Sequence, residues 1–457
     1  MKRLLVVLLV CGTASGRAGE RAGIRAMGMG RTFVAAAQGL DAAGVNPAGI
    51  VRDGALIELS LLPFSAHVGT DFIDYDLYTT YFTGEVTKNG RQARLLTQAD
   101  KERILETFGH GVGTANLDLE ARPVGLAIHP VRSFAIAMTV AEEVRIAGAI
   151  PRDYADFFLN GNPPGSTFDF NGTDLRAAWT REYALGLSWE TSIPGFASAF
   201  AIGAAVKLVH GYGYYRIDRF NTTLTTGEDG SLTGDIHFLS TRSGANILEN
   251  RFVRTYGIAP PVAGSGLGAD IGVSARLESF LTVGMSITDI GNIRWTEGTE
   301  EAYVDTTIVI DDPFVVQQGD VIERVLRGER RAGVPFTSHL PTTIRLGLLL
   351  QVNELPGMEE MPGSLQFAFD YNQGLQETSS STTTPRFSFG TEYAPVPVIP
   401  LRAGVSFGGT DHLNLALGFG LHAGPFSWDI ASENVTWLFS PGSFSHISFA
   451  TGFALRF

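Results

Sequence analysis

The sequence predicts an all-β fold: a transmembrane antiparallel β-barrel of about 14 strands, with 16 as the alternative. Three observations carry this. Segments of about ten residues alternate between apolar and small or polar side chains. The connections between them alternate between short and long. Beyond the N-terminus, no apolar run approaches the ~18 residues a membrane helix needs.

The alternation is clearest at the C-terminus, SHISFATGFALRF (445–457). Ile447, Phe449, Thr451, Phe453, Leu455 and Phe457 share one face, and Ser448, Ala450, Gly452, Ala454 and Arg456 the other. RSFAIAMTV (132–140), TTIRLGLLLQ (342–351), SLQFAFDY (364–371), PRFSFGTEY (385–393), PLRAGVSFG (400–408) and HLNLALGFGL (412–421) repeat the pattern. The second face is small or sparsely polar, where a sandwich strand would carry solvated charge; a barrel interior fits better.

Short turns fall at Pro130, Ile193 to Gly195, Leu277 to Ser279, Pro395 to Pro397 and Ala423–Gly424. Long segments lie at 84–117, 145–178, 216–265 and 291–339. Counting back from a periplasmic C-terminus, the first of 14 strands falls near 71–83, and every long segment lies outside the cell. ALIELSLLPFSAH (55–67) is left over, either within the N-terminal region or as part of a 16-strand barrel. Within the first loop, Thr97 caps a short amphipathic helix that places Ile104, Leu105 and Phe108 on one face, with Gly109 and Gly111 as stops.

Composition agrees with the barrel. Of 457 residues, 44% are hydrophobic and 18% charged, and glycine occurs 54 times. The net charge of −13 argues against nucleic-acid binding. Residues 1–18 read as a secretory signal peptide: Lys2 and Arg3, an apolar run from Leu4 to Val10, then small residues. The only cysteine, Cys11, lies inside it, and Val10 is a poor neighbour for a lipidated Cys. The mature chain therefore needs neither disulfides nor thiolate-bound metal.

Residues 19–54 form an N-terminal segment, ahead of a barrel domain over 55–457. GIRAMGMGRTFVAAAQGLDAAGVNPAGI (23–50) neither alternates nor keeps a helical stripe, and it is too apolar for a solvated linker. A compact insert in a barrel lumen has this character. The stretch, with Gly28, Met29, Gly30, Asp41, Asn46, Pro47 and Ala48, resembles the N-terminal segment of outer-membrane barrels related to the long-chain fatty-acid transporters. That superfamily includes the barrel that shuttles cargo in type IX secretion and a large uncharacterised branch. GADIGVSARL (268–277), ITDIGNIRW (287–295), LPTTIRLGL (340–348) and AAWTREYALGLSWE (177–190) are similar too, the last most of all to the uncharacterised branch. Arg31 stands where relatives often have glycine. The resemblance implies a barrel with an N-terminal hatch in the bacterial outer membrane and, in the transporter branch, diffusion of hydrophobic molecules. The transporters' ligand residues match no motif here.

Catalytic motifs fail on context. GVSFG (404–408) has the form of a nucleophile elbow but lies within a strand, with no helix after it. GMGRTF (28–33) and GSGLGA (264–269) lack the strand–loop–helix setting of a phosphate loop. The nine histidines, among them His129, His210, His412 and His422, show no metal spacing. Asp71, Asp74, Asp76, Asp311 and Asp312 read as solvated loop acids. No enzyme activity and no cofactor are expected. Trp179, Trp189, Trp295, Trp428 and Trp437, with Tyr81, Tyr183, Tyr212 and Tyr393, suit interfacial girdles. Phe453, Leu455 and Phe457 resemble the C-terminal signal read by the outer-membrane assembly machinery. The expected function is passive transport of small hydrophobic, fatty-acid-like compounds. The alternative is a non-transporting barrel that serves as a platform for surface or secreted proteins. Partners are outer-membrane lipids, the assembly machinery and a small hydrophobic ligand, with no nucleic acid.

Overall fold

A computed structural model of the protein describes residues 23–51, 54–88, 90–109, 111–245, 260–310, 328–409, 413–438, 442 and 445–457. The signal peptide with Cys11, and Asp311, Asp312 and His412, lie outside the described residues, as does the side chain of Trp437.

Fourteen long strands form one closed antiparallel ring. They are β1 (Ile57–Thr70), β2 (Val112–Val131), β3 (Phe134–Pro151), β4 (Asp174–Ile193), β5 (Ala197–Thr226), β6 (Gly264–Glu278) and β7 (Leu281–Trp295). The second half is β8 (Thr343–Gln351), β9 (Ser364–Gly374), β10 (Arg386–Ala394), β11 (Leu401–Gly408), β12 (Leu413–Ala423), β13 (Phe426–Ser432) and β14 (His446–Arg456). The ring closes where β1 pairs with β14, from Glu58 opposite Arg456 to Gly69 opposite His446. Closure leaves no unpaired edge, which a strand in hydrocarbon requires.

The count of 14 holds, but its first member is corrected. The strand left over at 55–67 is β1, and residues 71–83 are helical instead. There Asp74 accepts a hydrogen bond from the Leu77 backbone N–H and starts α1 (Tyr75–Leu77), which continues as a π turn over Tyr78–Phe82. A capping aspartate followed by three-to-four-residue spacing outweighs the aromatic content that suggested a strand.

Alternation sets the two faces. Along β5, Ile202, Val206 and Leu208 are exposed, while Gly203, Ala205, Lys207 and Val209 turn inward. Exposed apolar side chains recur on every strand of the wall, as on Leu267, Met138, Leu348 and Phe453. A closed barrel with an apolar outer belt is built for lipid, and its place is the bacterial outer membrane.

The turns Arg132–Ser133, Pro194–Phe196, Ser279–Phe280 and Gly424–Pro425 lie at one end, here the turn end, with the C-terminus. The long connections lie at the other, the loop end. The wall is taller on one side: β2 to β5 run 20, 18, 20 and 30 residues, whereas β8 to β14 run 7 to 11. About ten residues cross the bilayer, so the tall side projects beyond it at the loop end. There β5 continues into a sheet with Leu232–Gly244, Glu300–Ile310 and Glu329–Ala332. α2 (Gln98–Glu106) carries the expected Thr97 cap, completed by Asp100 as a capping box, and buries Ile104 and Leu105 against the rim. α3 (Arg152–Asn160) packs beside it.

Candidate functional site

Residues 23–51 lie inside the ring. Their contacts go all the way round it: Ile24 meets Gly452 of β14, Met29 meets Gly390 and Gly404 of β10 and β11, and Val34 meets Gly347 of β8. Asn46 meets Gly272 of β6, Pro47 meets Gly203 of β5, and Ile50 meets Gly186 of β4. Only a segment within the lumen can touch all these inner faces. The glycines are required by the approach. A Cβ on Gly404 would stand 2.1 Å from the Met29 carbonyl carbon, and one on Gly203 2.2 Å from that of Pro47. The largest buried apolar cluster of the protein is here, joining Met29, Phe33, Val34, Leu40 and Ile50 to inward alanines such as Ala127, Ala137 and Ala368.

Polar groups fix the segment in register. Asn46, 1% exposed, donates through Nδ2 to Val34 O and to Val273 O of β6, each at 3.2 Å. Its Oδ1 accepts from Ala48 N, so it caps the short 3-10 turn Pro47–Ile50. Ser188 and Ser286 donate to Ala48 O and Val45 O at 2.7 and 2.6 Å. Asp370 of β9, fully buried, accepts from the backbone N–H groups of Phe33 and Val34. Arg25 pairs with Glu392 at 3.0 Å and Asp41 at 3.5 Å; Arg402 links Glu392 to Asp429. Gly30 and Arg31 both have left-handed backbone, φ 65° and 66°. That explains why a glycine would suit position 31; here Arg31 instead forms a bond from Nη2 to Glu433 Oε2 at 2.9 Å. The seven motif residues therefore belong to one structure, with Gly28, Met29 and Gly30 against β10 to β12 and Asn46, Pro47 and Ala48 against β4 to β7, while Asp41 lies between Arg25 and Arg456.

Above the segment, toward the loop end, the lumen opens into a cavity of about 570 Å³. One wall is apolar, with Val209, Tyr214, Ile293, Trp295 and Leu340; the other carries Glu143, Arg145, Arg176, Glu182, Arg216 and Asp218. At its floor, the fully buried Lys207 Nζ lies 2.6 Å from Asp289, 2.7 Å from Asp270 and 3.5 Å from Glu182. Asp289 has φ 59° and donates its backbone N–H to Asp270 at 2.7 Å.

The wall is interrupted at one level. Between β1 and β2 the ladder runs to Ser60 opposite Gly125 and resumes at Phe64 opposite Ala121. The unpaired stretches contain Pro63 and Pro123, neither of which has an N–H to donate. The register also shifts on the far side of each strand, and Leu62 takes φ 47°. Outside the gap Leu61, Leu62 and Val124 are exposed; behind it is a small cavity of about 40 Å³ touching Ile24, Leu40, Pro63 and Arg122.

GVSFG lies within β11, and among the described residues no group of three or more His, Asp or Glu could hold a metal ion. Asp71 accepts from Thr114, and Asp74 caps α1. The girdle expectation is corrected for Trp295, buried on the cavity wall, and for Trp179 and Tyr212, buried in a separate cluster with Ile146, Leu175 and Ala177 on the face of β4 opposite Ala178 and Glu182. Trp189 faces outward at the turn end. Phe453 and Phe457 face outward, and the Phe457 backbone bonds to Leu56 and Ile57. Lys207, Asp270, Asp289, Asp370 and Glu392 were missed in sequence; charged residues on small-residue faces of strands are the only trace they leave.

No curated protein matches the chain. Among solved structures it is similar to the toluene transporter TodX of P. putida, with TM-score 0.47 and 11% identity over 96% of this chain and 99% of that one. It is similar to a FadL homologue of Pseudomonas aeruginosa, with TM-score 0.47 and 12% identity over 98% and 100%. The CymD monoaromatic hydrocarbon channel gives TM-score 0.37 and 11% identity over 97% and 98%. Residues 47–433 match a family defined by sequence alone, and the chain belongs to it: the family of unknown function DUF5723.

Proposed function

We propose that this barrel passes small hydrophobic compounds across the outer membrane by diffusion, with residues 23–51 as its hatch. One observation carries the reading: the lumen axis is filled by close-packed backbone, while the wall beside it is interrupted between β1 and β2, where the unpaired stretches hold Pro63 and Pro123. A solute that cannot go straight through gains by leaving sideways only if it dissolves in hydrocarbon. Names of the similar channels agree with such cargo. No catalytic step is part of this reading.

The test is uptake of a labelled alkane by cells with the gene, without it, and with the Pro63→Ala/Pro123→Ala pair, which restores two ladder donors. Accumulation should fall without the gene and fall partway in the double variant. Equal accumulation in all three would sink the proposal. The projecting sheet of β5 with Leu232–Gly244, Glu300–Ile310 and Glu329–Ala332 favours a second role as a platform for surface proteins. Shortening its 227–231 turn region would then reduce surface attachment and leave uptake intact. Phe457 serves assembly in this account, so its deletion should lower the amount of barrel in the membrane.

A further inference from the structure

The loop-end cavity is two-faced, and its charged face is unbalanced. Five carboxylates line it (Glu143, Glu182, Asp218, Asp289 and Glu377) against three guanidiniums (Arg145, Arg176 and Arg216). Each guanidinium already has acids of its own: Arg145 with Asp118, Glu120 and Glu143, Arg176 with Asp174, and Arg216 with Asp218. The Lys207 ammonium below the floor is shared among Glu182 and Asp289, already counted, and one further carboxylate, Asp270, so the acids stay in excess. On a third side, Gln376 lines the cavity with a buried Oε1 that has no hydrogen-bond partner among the described residues. An acceptor left open calls for a donor on the ligand.

We infer that the cavity takes amphiphiles whose polar end is a hydrogen-bond donor of positive or zero charge, such as an alkylammonium or an alkanol, and turns away alkyl carboxylates of the same length. The alkyl part lies on Val209, Tyr214, Ile293 and Leu340, and the polar end meets the acid-rich wall and the Gln376 amide. A cleft lined with one excess sign between low-dielectric walls concentrates ligands of opposite charge. A carboxylate there meets like charge, and the arginines that could bind it are occupied. This deepens the transport reading by naming the cargo's head group, and its relevance to uptake rests on that reading.

Hexylamine, hexanol and hexanoate are titrated by calorimetry into the purified full-length protein in a nonionic detergent at neutral pH. Hexylamine should bind at least about tenfold more tightly than hexanoate, a difference of about 1.4 kcal/mol, with hexanol between them. In the variant Asp218→Asn/Glu377→Gln, shown to be folded by its resistance to SDS without heating, the gap should narrow at least threefold. Hexanoate binding as tightly as hexylamine, no binding of any of the three, or an unchanged gap in the folded variant would each overturn the inference. If the variant does not fold, the wild-type ranking decides alone. Loss of the alkane-uptake difference with the ranking intact would remove the transport reading and leave this one standing; the reverse result would remove this one only.

Discussion

The two halves of the lumen lie within one ring but are built on opposite terms. Toward the turn end, Gly203, Gly347, Gly390 and Gly404 let backbone lie on backbone, and the space is filled by Met29, Phe33 and Val34. Toward the loop end, Glu182 and Arg176 of β4 and Arg145 of β3 line open space. The difference teaches that the inward face alone decides whether a barrel of this width is sealed or hollow. Glycine at the contact level permits interior-like packing density; charge above it needs room for water.

The comparison can be broken at its tightest point. Gly404→Val or Gly203→Val forces a side chain into the Met29 or Pro47 backbone and should cost about 3 kcal/mol or more, enough to displace the segment or block assembly. Ala178→Val, on the cavity wall, should change stability by less than about 0.5 kcal/mol. Urea unfolding in lipid vesicles measures both. Similar costs at the two sites would mean that the halves do not differ as described.

Asn46→Ala sharpens the same contrast from the segment's side. It strands Val34 O and Ala48 N, two buried groups at about 1 kcal/mol each, and removes the part-buried bond to Val273 O, so a loss of about 2.5 kcal/mol is expected by the same unfolding assay. Limited proteolysis should then cut within residues 23–51; continued protection would argue that the apolar contacts suffice.

Arg31→Gly should have a smaller effect, with two terms of opposite sign. Removing the left-handed strain gains about 1 kcal/mol, while leaving Glu433 without the guanidinium costs about 3, for a net loss of about 2 kcal/mol. Adding Glu433→Gln to Arg31→Gly should recover most of it. A double variant no better than the single one would show that the ion pair contributes little.

The mildest effect belongs to the loop end. The Asp100 carboxylate is held below its ordinary range, chiefly by hydrogen bonds from the Thr97 backbone and hydroxyl. A depressed carboxylate stabilises the fold above its unfolded pKa, and the contribution fades as pH falls through the lowered value. Acidification should therefore speed amide exchange across Gln98–Glu106 before it affects the barrel; exchange in Asp100→Ala should be fast at every pH and respond little to acid. Uniform acid sensitivity of helix and barrel would contradict this.

Much of the wall could be read from sequence, because alternation follows directly from the strand period and short turns announce themselves with Pro and Gly. The first strand could not: FSAH in β1 alternates weakly around Pro63, whereas the aromatic run Tyr75 to Phe82 imitates a strand until the Asp74 cap is weighed. Of the lumen, the Gly-Met-Gly and Asn-Pro-Ala stretches were legible because tight turns demand those residues. Lys207, Asp289 and the break in pairing at Pro63 and Pro123 were not. Each depends on which residues oppose one another across the ring, and no spacing along one strand records that.

That residues 23–51 seal the barrel is tested most directly by conductance in planar lipid bilayers. The full-length protein should hold a closed baseline, and a folded variant lacking residues 23–51 should show steady, open-pore current. A full-length barrel that conducts as well as the deletion variant would contradict the account.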